Sequence, residues 1–426
     1  MNKPVLSHLT RREVLAVSAA TLATATLGSR VHALGGRDTI RIGLIGCGGR
    51  GIGAVHNALD ADPDTVITAV ADAFAPQAEA AAEKCAKYGD RVRITKERTF
   101  SGLNAYAELV ACDEVDYVLI ATPPKFHCHF LEASVDAGKH TFCEKPGAAD
   151  VVGLKQILRA TEKAKAKGLG IMCGLQRRHS PSRQALIERL REGAMGELVA
   201  ASAWWNRTGW QYLKRRDEET DLGFQLRSWR PQAWLSADSP GSILIHQVDV
   251  INWAFDAVPD SCMCIGGRLI HTDPSIHGNM FDHFAAEFLY PGGRMMSAQV
   301  KTMPVNQATK EIVYCAKGVA RIDGGLLYND GKVEKFKPSG NDMVREHACL
   351  LESVRNGSPV NYGQILADAT LVTLMMTMSA YSGKRVTKDF ILNESSWQFG
   401  PSYDELSMDM PLPIQDVPLP GQFQLV

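Results

Sequence analysis

From Thr39 onward, short apolar runs and amphipathic stretches take turns along the chain. Ile40 to Ile45 is an apolar run that stops at Gly46-Cys47-Gly48-Gly49-Arg50-Gly51, and a helical stretch follows through Leu59. Val66 to Ala71 is a second run, closed by Asp72. An alanine-rich helix is expected from Pro76 to Tyr88 and a third strand from Val92 to Thr95. Further strands are expected at Tyr117 to Ala121, Thr141 to Cys143 and Gly170 to Leu175, with helices around Phe130 and Leu158. Strands alternating with helices in this way predict a doubly wound parallel α/β sheet.

Near Cys173 the rhythm changes. Strand-like segments at Val199 to Trp205, Cys262 to Ile270, Phe284 to Tyr290, Met295 to Lys301 and Glu311 to Cys315 arrive without regular helices between them, and Pro291-Gly292-Gly293 signals a hairpin. This predicts an α+β second domain on a large, mainly antiparallel open sheet. Helices at Pro181–Glu192, His246–Phe255, Asp342–Asn356 and Gln364–Tyr381 would cover one face. From Asn393 the chain turns Pro-rich and polar, and reads as an extended tail on the surface. The expected division is 38–172, 173–392 and a tail at 393–426.

Length supports more than one domain, since 426 residues exceed what a single core usually serves. A formal charge of -1 offers no field for nucleic acid or an anionic membrane, which leaves small molecules as the expected partners. No stretch of the mature region reads as apolar for long enough to span a bilayer. The ten cysteines are scattered without a CxxC pair, which fits buried structural thiols better than disulfides or a metal site. At the front, Arg11 and Arg12 precede an apolar, alanine-rich stretch and the small-residue site Val31-His32-Ala33. Residues 1–33 are therefore expected to be a twin-arginine signal peptide, with a periplasmic or otherwise exported mature protein.

Gly46-x-Gly48-x-x-Gly51 follows a strand and opens a helix, where a dinucleotide fingerprint belongs. The first glycine permits the turn, the second lets backbone approach a pyrophosphate, and the third allows close helix–strand packing. Gly49 and Arg50 lie in the same turn. Asp72 ends the next strand where a carboxylate accepts hydrogen bonds from an adenosine ribose, and it would repel a 2′-phosphate. A Rossmann domain binding NAD rather than NADP follows.

Glu144-Lys145-Pro146 after the fifth strand and Ala121-Thr122-Pro123 after the fourth, with the fingerprint upstream, resemble the Gfo/Idh/MocA oxidoreductase family. Gln176-Arg177-Arg178-His179, Phe224–Trp229, Asp249–Trp253, Phe281–Ala285 and Tyr381–Lys384 look like its exported, glucose-fructose oxidoreductase-like branch. The resemblance implies hydride transfer between NAD and a sugar, polyol or glycoside. Lys145 would touch the reacting hydroxyl, and His246 would take or return its proton. Thr122, Pro123, His127, Glu144 and Lys145 would join Gly46, Gly48, Gly49, Arg50, Gly51 and Asp72 around the cofactor. Arg178, His179, Asp249 and Trp229 are candidates for contacting substrate, and Arg227 and Arg230 for binding its hydroxyls or carboxylates. Trp204, Trp205, Trp210, Trp229 and Trp234 would either stack on sugar rings or pack the core. The chain departs from the family where an acid and a second histidine are common, having Ser242 and Leu244. The alternative is a non-catalytic carbohydrate-binding protein that keeps NAD as a structural element. A homo-oligomer, dimer or tetramer, fits either reading.

Overall fold

The computed structural model describes residues 39–209, 212–304 and 306–426, so the expected signal segment and Trp210 lie outside the described residues. Six strands form the first sheet: β1 (Ile40–Ile45), β2 (Thr65–Asp72), β3 (Thr99–Ser101), β4 (Tyr117–Ile120), β5 (His140–Cys143) and β6 (Ile171–Cys173). Their order is β3-β2-β1-β4-β5-β6, and every pairing is parallel. Strand order reverses between β1 and β4, which opens a crevice at their C-terminal ends. The helices α1 (Gly49–Ala61), α2 (Ala105–Ala111), α3 (His127–Asp136) and α4 (Val151–Lys167) cover the sheet. Asp150 starts α4 by accepting from the Gly153 N–H at 2.8 Å, and Gly168 ends it at φ +66°.

Two local expectations need correction. The third strand is Thr99–Ser101, and Val92 makes only an isolated bridge to Ile67. The alanine-rich helix is broken into Ala75–Glu79 and Ala81–Lys84, followed by a tight turn, Ala86–Arg91, in which Gly89 is left-handed at φ 56°.

The second sheet holds β7 (Leu198–Arg207), β8 (Ser261–Gly267), β9 (His283–Leu289), β10 (Met295–Thr302), β11 (Ala308–Cys315), β12 (Gly318–Arg321), β13 (Gly325–Tyr328), β14 (Val333–Glu334) and β15 (Val386–Thr387). The order is β14-β13-β12-β11-β7-β10-β9-β8-β15, antiparallel throughout except for the parallel pair β7 and β10. Side chains alternate between its faces. Phe284, Phe288, Met296, Val300 and Val313 are buried, whereas Ile265, Leu289, Met295, Tyr314 and Leu327 are exposed. The buried face meets α6 (Ile245–Phe255) and α8 (Gly363–Ser382), with α5 (Pro181–Arg191) beside them. By length and composition α8 is apolar enough to cross a membrane, contrary to the expectation for this region. Its most apolar window is 89% buried inside the protein, so it serves here as a core helix.

The chain then returns to the first sheet. α7 (Asp342–Arg355) lies against α1, and its Leu350, Leu351 and Val354 join Ile52, Val55 and Leu59 in one apolar cluster. The tail is extended but not confined to the surface. The Trp397 carbonyl accepts from the Val151 and Val152 N–H groups at 3.2 and 3.3 Å, and Trp397 and Phe399 are buried in the core. All ten cysteines are free thiols.

Candidate active site

The glycine turn is shaped by contact. Gly46 has φ +97°, and a Cβ there would stand 2.7 Å from the Ala121 carbonyl oxygen. A Cβ on Gly51 would lie 1.9 Å from the Gly46 carbonyl oxygen, so the third glycine is fixed by packing of the turn on α1. Gly48 and Gly49 instead face open space, and no side chain caps α1. The first-turn N–H groups of α1 thus stand at a place where anionic oxygens are stabilised.

Two cavities meet along this crevice. The first, about 220 Å³, is lined by Gly46, Gly48, Asp72, Phe74, Thr122, Pro123, Arg227, Trp229 and Tyr403, among others. Asp72 accepts from the Cys47 N–H at 2.7 Å and the Phe74 N–H at 2.9 Å. Burial raises its pKa against the pull of those two donors. A carboxylate has about four acceptor sites, so capacity remains for ribose hydroxyls. Arg227 also borders this cavity, not the second, and its guanidinium is held by Glu219 at 2.7 Å and the Lys214 carbonyl at 2.9 Å. Tyr403, from the tail, packs against Phe126 and stacks on His129 to form a further wall, one that no motif in the sequence signals.

The second cavity, about 420 Å³, is lined by Arg50, Thr122, His127, Glu144, Lys145, Gln176, Trp205, Arg207, Trp229, Arg230, Ser242 and His246, among others. Ala121, Thr122 and Trp229 border both cavities and form the waist between them. Thr122 Oγ1 is buried there without a protein partner. An uncapped helix, two open glycines, a ribose-type carboxylate and an orphaned hydroxyl between two connected cavities fit a dinucleotide laid across the sheet.

Lys145 Nζ donates to the Ser242 carbonyl oxygen at 2.8 Å, and the Lys145–Pro146 peptide is cis. Burial lowers the Lys145 pKa to about 8, against the pull of Glu144 and helped by Arg50, Arg177 and Arg230. His246 sits in the first turn of α6 and is 8% exposed, with Nδ1 lacking a partner. Burial, joined by the charges of Lys145, Arg177 and Arg50, drives its pKa well below 6.5. The imidazole is therefore a neutral proton acceptor beside an ammonium group of tunable charge. Glu144 is paired with Arg50. His127 ties the neighbouring turn to the end of β4, its ring nitrogens lying 2.6 Å from the Pro146 carbonyl and 2.8 Å from that of Thr122.

The structure thus gathers Lys145, His246, His127, Glu144 and Trp229 around one cavity. Arg178 and Asp249 are not among its lining residues. They form a forked ion pair with contacts of 2.7 to 3.0 Å, and Asp249 is 1% exposed. His179 stacks on Tyr362 at 5.4 Å instead. The tryptophans divide. Trp234 is core, donating Nε1 to Gln225 at 2.7 Å, and Trp204 faces outward under Lys310. Trp205 and Trp229 wall the second cavity.

Residues 40–171 match the sequence profile described as "Oxidoreductase family, NAD-binding Rossmann fold", that of Gfo/Idh/MocA proteins. The match covers the first sheet alone: there the chain is similar to the NAD-binding Rossmann domain of Gfo/Idh/MocA oxidoreductases, and a mixed-sheet domain follows it. Inositol 2-dehydrogenase of Rhizobium meliloti (strain 1021) is 36% identical over 161 residues, which are 38% of this chain and 43% of that protein. 2,7-Anhydro-N-acetylneuraminate hydratase of Escherichia coli (strain K12) is 25% identical over 249 residues, 57% of this chain and 62% of that protein. The aligned region thus spans less than two thirds of either relative. Among solved structures, levoglucosan dehydrogenase in complex with NADH and levoglucosan superposes with a TM-score of 0.62 at 18% identity, covering 82% of this chain and 99% of that one. At that identity the likeness is one of fold.

Proposed function

We propose that this chain is an NAD-dependent oxidoreductase acting on a sugar, polyol or glycoside, with Lys145 and His246 as its catalytic pair. The observation that carries the reading is their convergence on one cavity, joined through Thr122 to the crevice that fits the dinucleotide. Bound NAD supplies the hydride acceptor. The chain's own residues handle the proton and the charge. The Lys145 ammonium donates a hydrogen bond to the substrate oxygen and stabilises negative charge as it develops. Neutral His246 accepts the hydroxyl proton. Trp205 and Trp229 offer apolar faces to a sugar ring and exclude water from it. The relatives named above as an inositol dehydrogenase and a levoglucosan dehydrogenase act on compatible chemistry.

Three finer features belong to the same proposal. The paired arginines Arg11 and Arg12 support export by the twin-arginine route. Outside the cytoplasm free NAD is scarce, which favours a cofactor held tightly and recycled within each turnover. The uncovered sheet face bearing Ile265, Leu289, Met295 and Tyr314 supports a homo-oligomer. The alternative, a non-catalytic carbohydrate-binding protein that retains NAD, draws on Ser242 and Leu244, which carry neither acid nor imidazole. A single experiment separates the two. The protein is purified without added nucleotide, its bound cofactor is released and identified, and nicotinamide absorbance is followed on adding sugars, polyols and glycosides. Reduction by wild type and none by Lys145→Ala is expected. Bound NAD that no such compound reduces would leave the alternative standing.

A further inference from the structure

One wall of the first cavity comes from the last part of the chain. The floor is the carboxyl edge of the first sheet: Gly46 and Gly48 follow β1, Asp72 ends β2, Gly102 and Leu103 follow β3, and Ala121 to Pro123 follow β4. The Gly102 N–H donates to the Asp72 carbonyl at 3.1 Å, and the neighbouring Leu103 carbonyl accepts from the Tyr403 hydroxyl at 2.5 Å. The tail thus meets the cavity at the edge that carries the ribose-type carboxylate, which is the adenosine end of a dinucleotide laid across this sheet.

Tyr403 is built into that wall. Its ring packs against Tyr106, Phe126, His129 and Phe130 with centroid separations of 4.6 to 5.4 Å, and Tyr106, Phe126 and Phe130 line the same cavity. Trp397 and Phe399 are buried in the core, whereas Tyr403 is only partly buried and borders the cavity. The tail is fastened on both sides of it. Before it, the Phe399 N–H donates to Asp150, the residue that starts α4, at 2.9 Å. After it, the Leu412 N–H donates to Asp221 at 2.9 Å, and the Leu412 carbonyl accepts from the Gln225 side chain at 2.6 Å. Asp221 and Gln225 belong to the short helix Asp221–Arg227, whose Leu226 and Arg227 form another wall of the cavity. Residues 399–412 therefore tie a helix of the first sheet to a helix of the second domain, with Tyr403 between the two ties.

We infer that the tail is a working part of the cofactor site: Tyr403 forms an aromatic wall against the adenosine half of NAD, and the ties at Asp150 and Asp221 hold that wall in place so that bound cofactor leaves slowly. This rests on the dinucleotide site used in the proposed function, and it gives the tightly held cofactor of that reading a structural basis. Adenine presents a flat π face, which aromatic and apolar side chains take up. A wall already fixed at both ends needs little ordering when nucleotide binds, and affinity differences of this kind fall mostly on the dissociation rate.

The test uses the full chain. Bound NADH is chased with excess NAD, and the decay of its fluorescence gives the dissociation rate. ADP-ribose and nicotinamide mononucleotide are titrated separately as the two halves of the cofactor. Tyr403→Ala is expected to release NADH about tenfold or more faster than wild type, the scale of one lost aromatic contact and its buried area. It should weaken ADP-ribose by a similar factor and leave the affinity for nicotinamide mononucleotide where it was. Tyr403→Phe keeps the ring and loses the bond to Leu103, so its release rate should fall between the two. Asp221→Ala cuts the second tie from outside the cavity and should also speed release. Melting temperature without nucleotide reports that each variant is folded. Fast release from wild type, release from Tyr403→Ala as slow as from wild type, or a loss confined to nicotinamide mononucleotide overturns the inference and leaves the oxidoreductase reading in place. Slow release that depends on Tyr403, with no sugar, polyol or glycoside reducing the nicotinamide, keeps the wall and removes the redox role.

Discussion

The charge state of Lys145 makes a sharp prediction about pH. Moving its pKa from 10.5 to about 8 corresponds to roughly 3 kcal/mol against the charged form. The ammonium therefore persists at neutral pH and is lost within the range an enzyme can be assayed. If it stabilises the developing oxyanion, substrate oxidation should be flat below pH 8 and fall above it toward a floor about 10²–10³ lower, the usual effect of removing one such donor. His246 stays neutral because its pKa lies well below 6.5, so no second limb should appear between pH 6 and 7. Lys145→Arg keeps its charge to far higher pH, and its slower reaction should stay flat where wild type declines. Lys145→Ala should sit at the floor throughout. Single-turnover reduction of the bound nicotinamide measures each profile. A wild-type rate that climbs through pH 8 would refute the reasoning, since it would make the neutral amine the proton acceptor.

Other consequences can be checked separately. The unfolded chain holds a proton between about pH 8 and 10.5 that folded Lys145 has given up, so this group's contribution to stability rises with pH across that window. Lys145→Met should consequently melt at a higher temperature than wild type at pH 7 while being inactive, and equal or lower melting would contradict the burial argument. His246→Asn should lower turnover by about 10²–10⁴-fold with bound NAD retained; parallel loss of NAD would make it a structural residue. Gly51→Ala forces a methyl against the Gly46 carbonyl and should cost about 1–3 kcal/mol of stability, read from thermal unfolding. Asp72→Ala should weaken NAD binding by about 1.5–3 kcal/mol in a fluorescence titration, and unchanged affinity would remove the ribose contact.

What the chain shows before folding and what it hides can be told apart by range. β1, its glycine turn and Asp72 are local: an apolar run, a tight turn and a strand end lie within reach of one another in sequence, and each is where it was expected. Apolar Val92 and Ile94 point to a third strand there, while the strand itself, Thr-Phe-Ser, is a short sheet-edge segment with little pattern. Pairings across long separations leave no trace at all. The motifs around Arg178 and Asp249 suggest substrate contacts, yet the two are each other's counter-ion across 71 positions. Arg227 stands near Trp229 in sequence, but it borders only the first cavity, whereas Trp229 reaches both. Ser242 is the most instructive case. Its side chain cannot replace an acid, but its backbone carbonyl accepts the Lys145 proton donor, and a carbonyl is common to every residue. The tail's Trp397 and Phe399 were masked by the prolines and polar residues around them.

The return of α7 to the first sheet bears on how this molecule comes to be. A fragment stopping at Cys173 contains every strand of the nucleotide-binding half, but it lacks Leu350, Leu351 and Val354, which shield Val55 and Leu59 of α1. During synthesis the early half must wait, one apolar flank bare, until more than three quarters of the chain has been made. Completion of the cofactor crevice is thereby tied to the assembly of the domain that follows it.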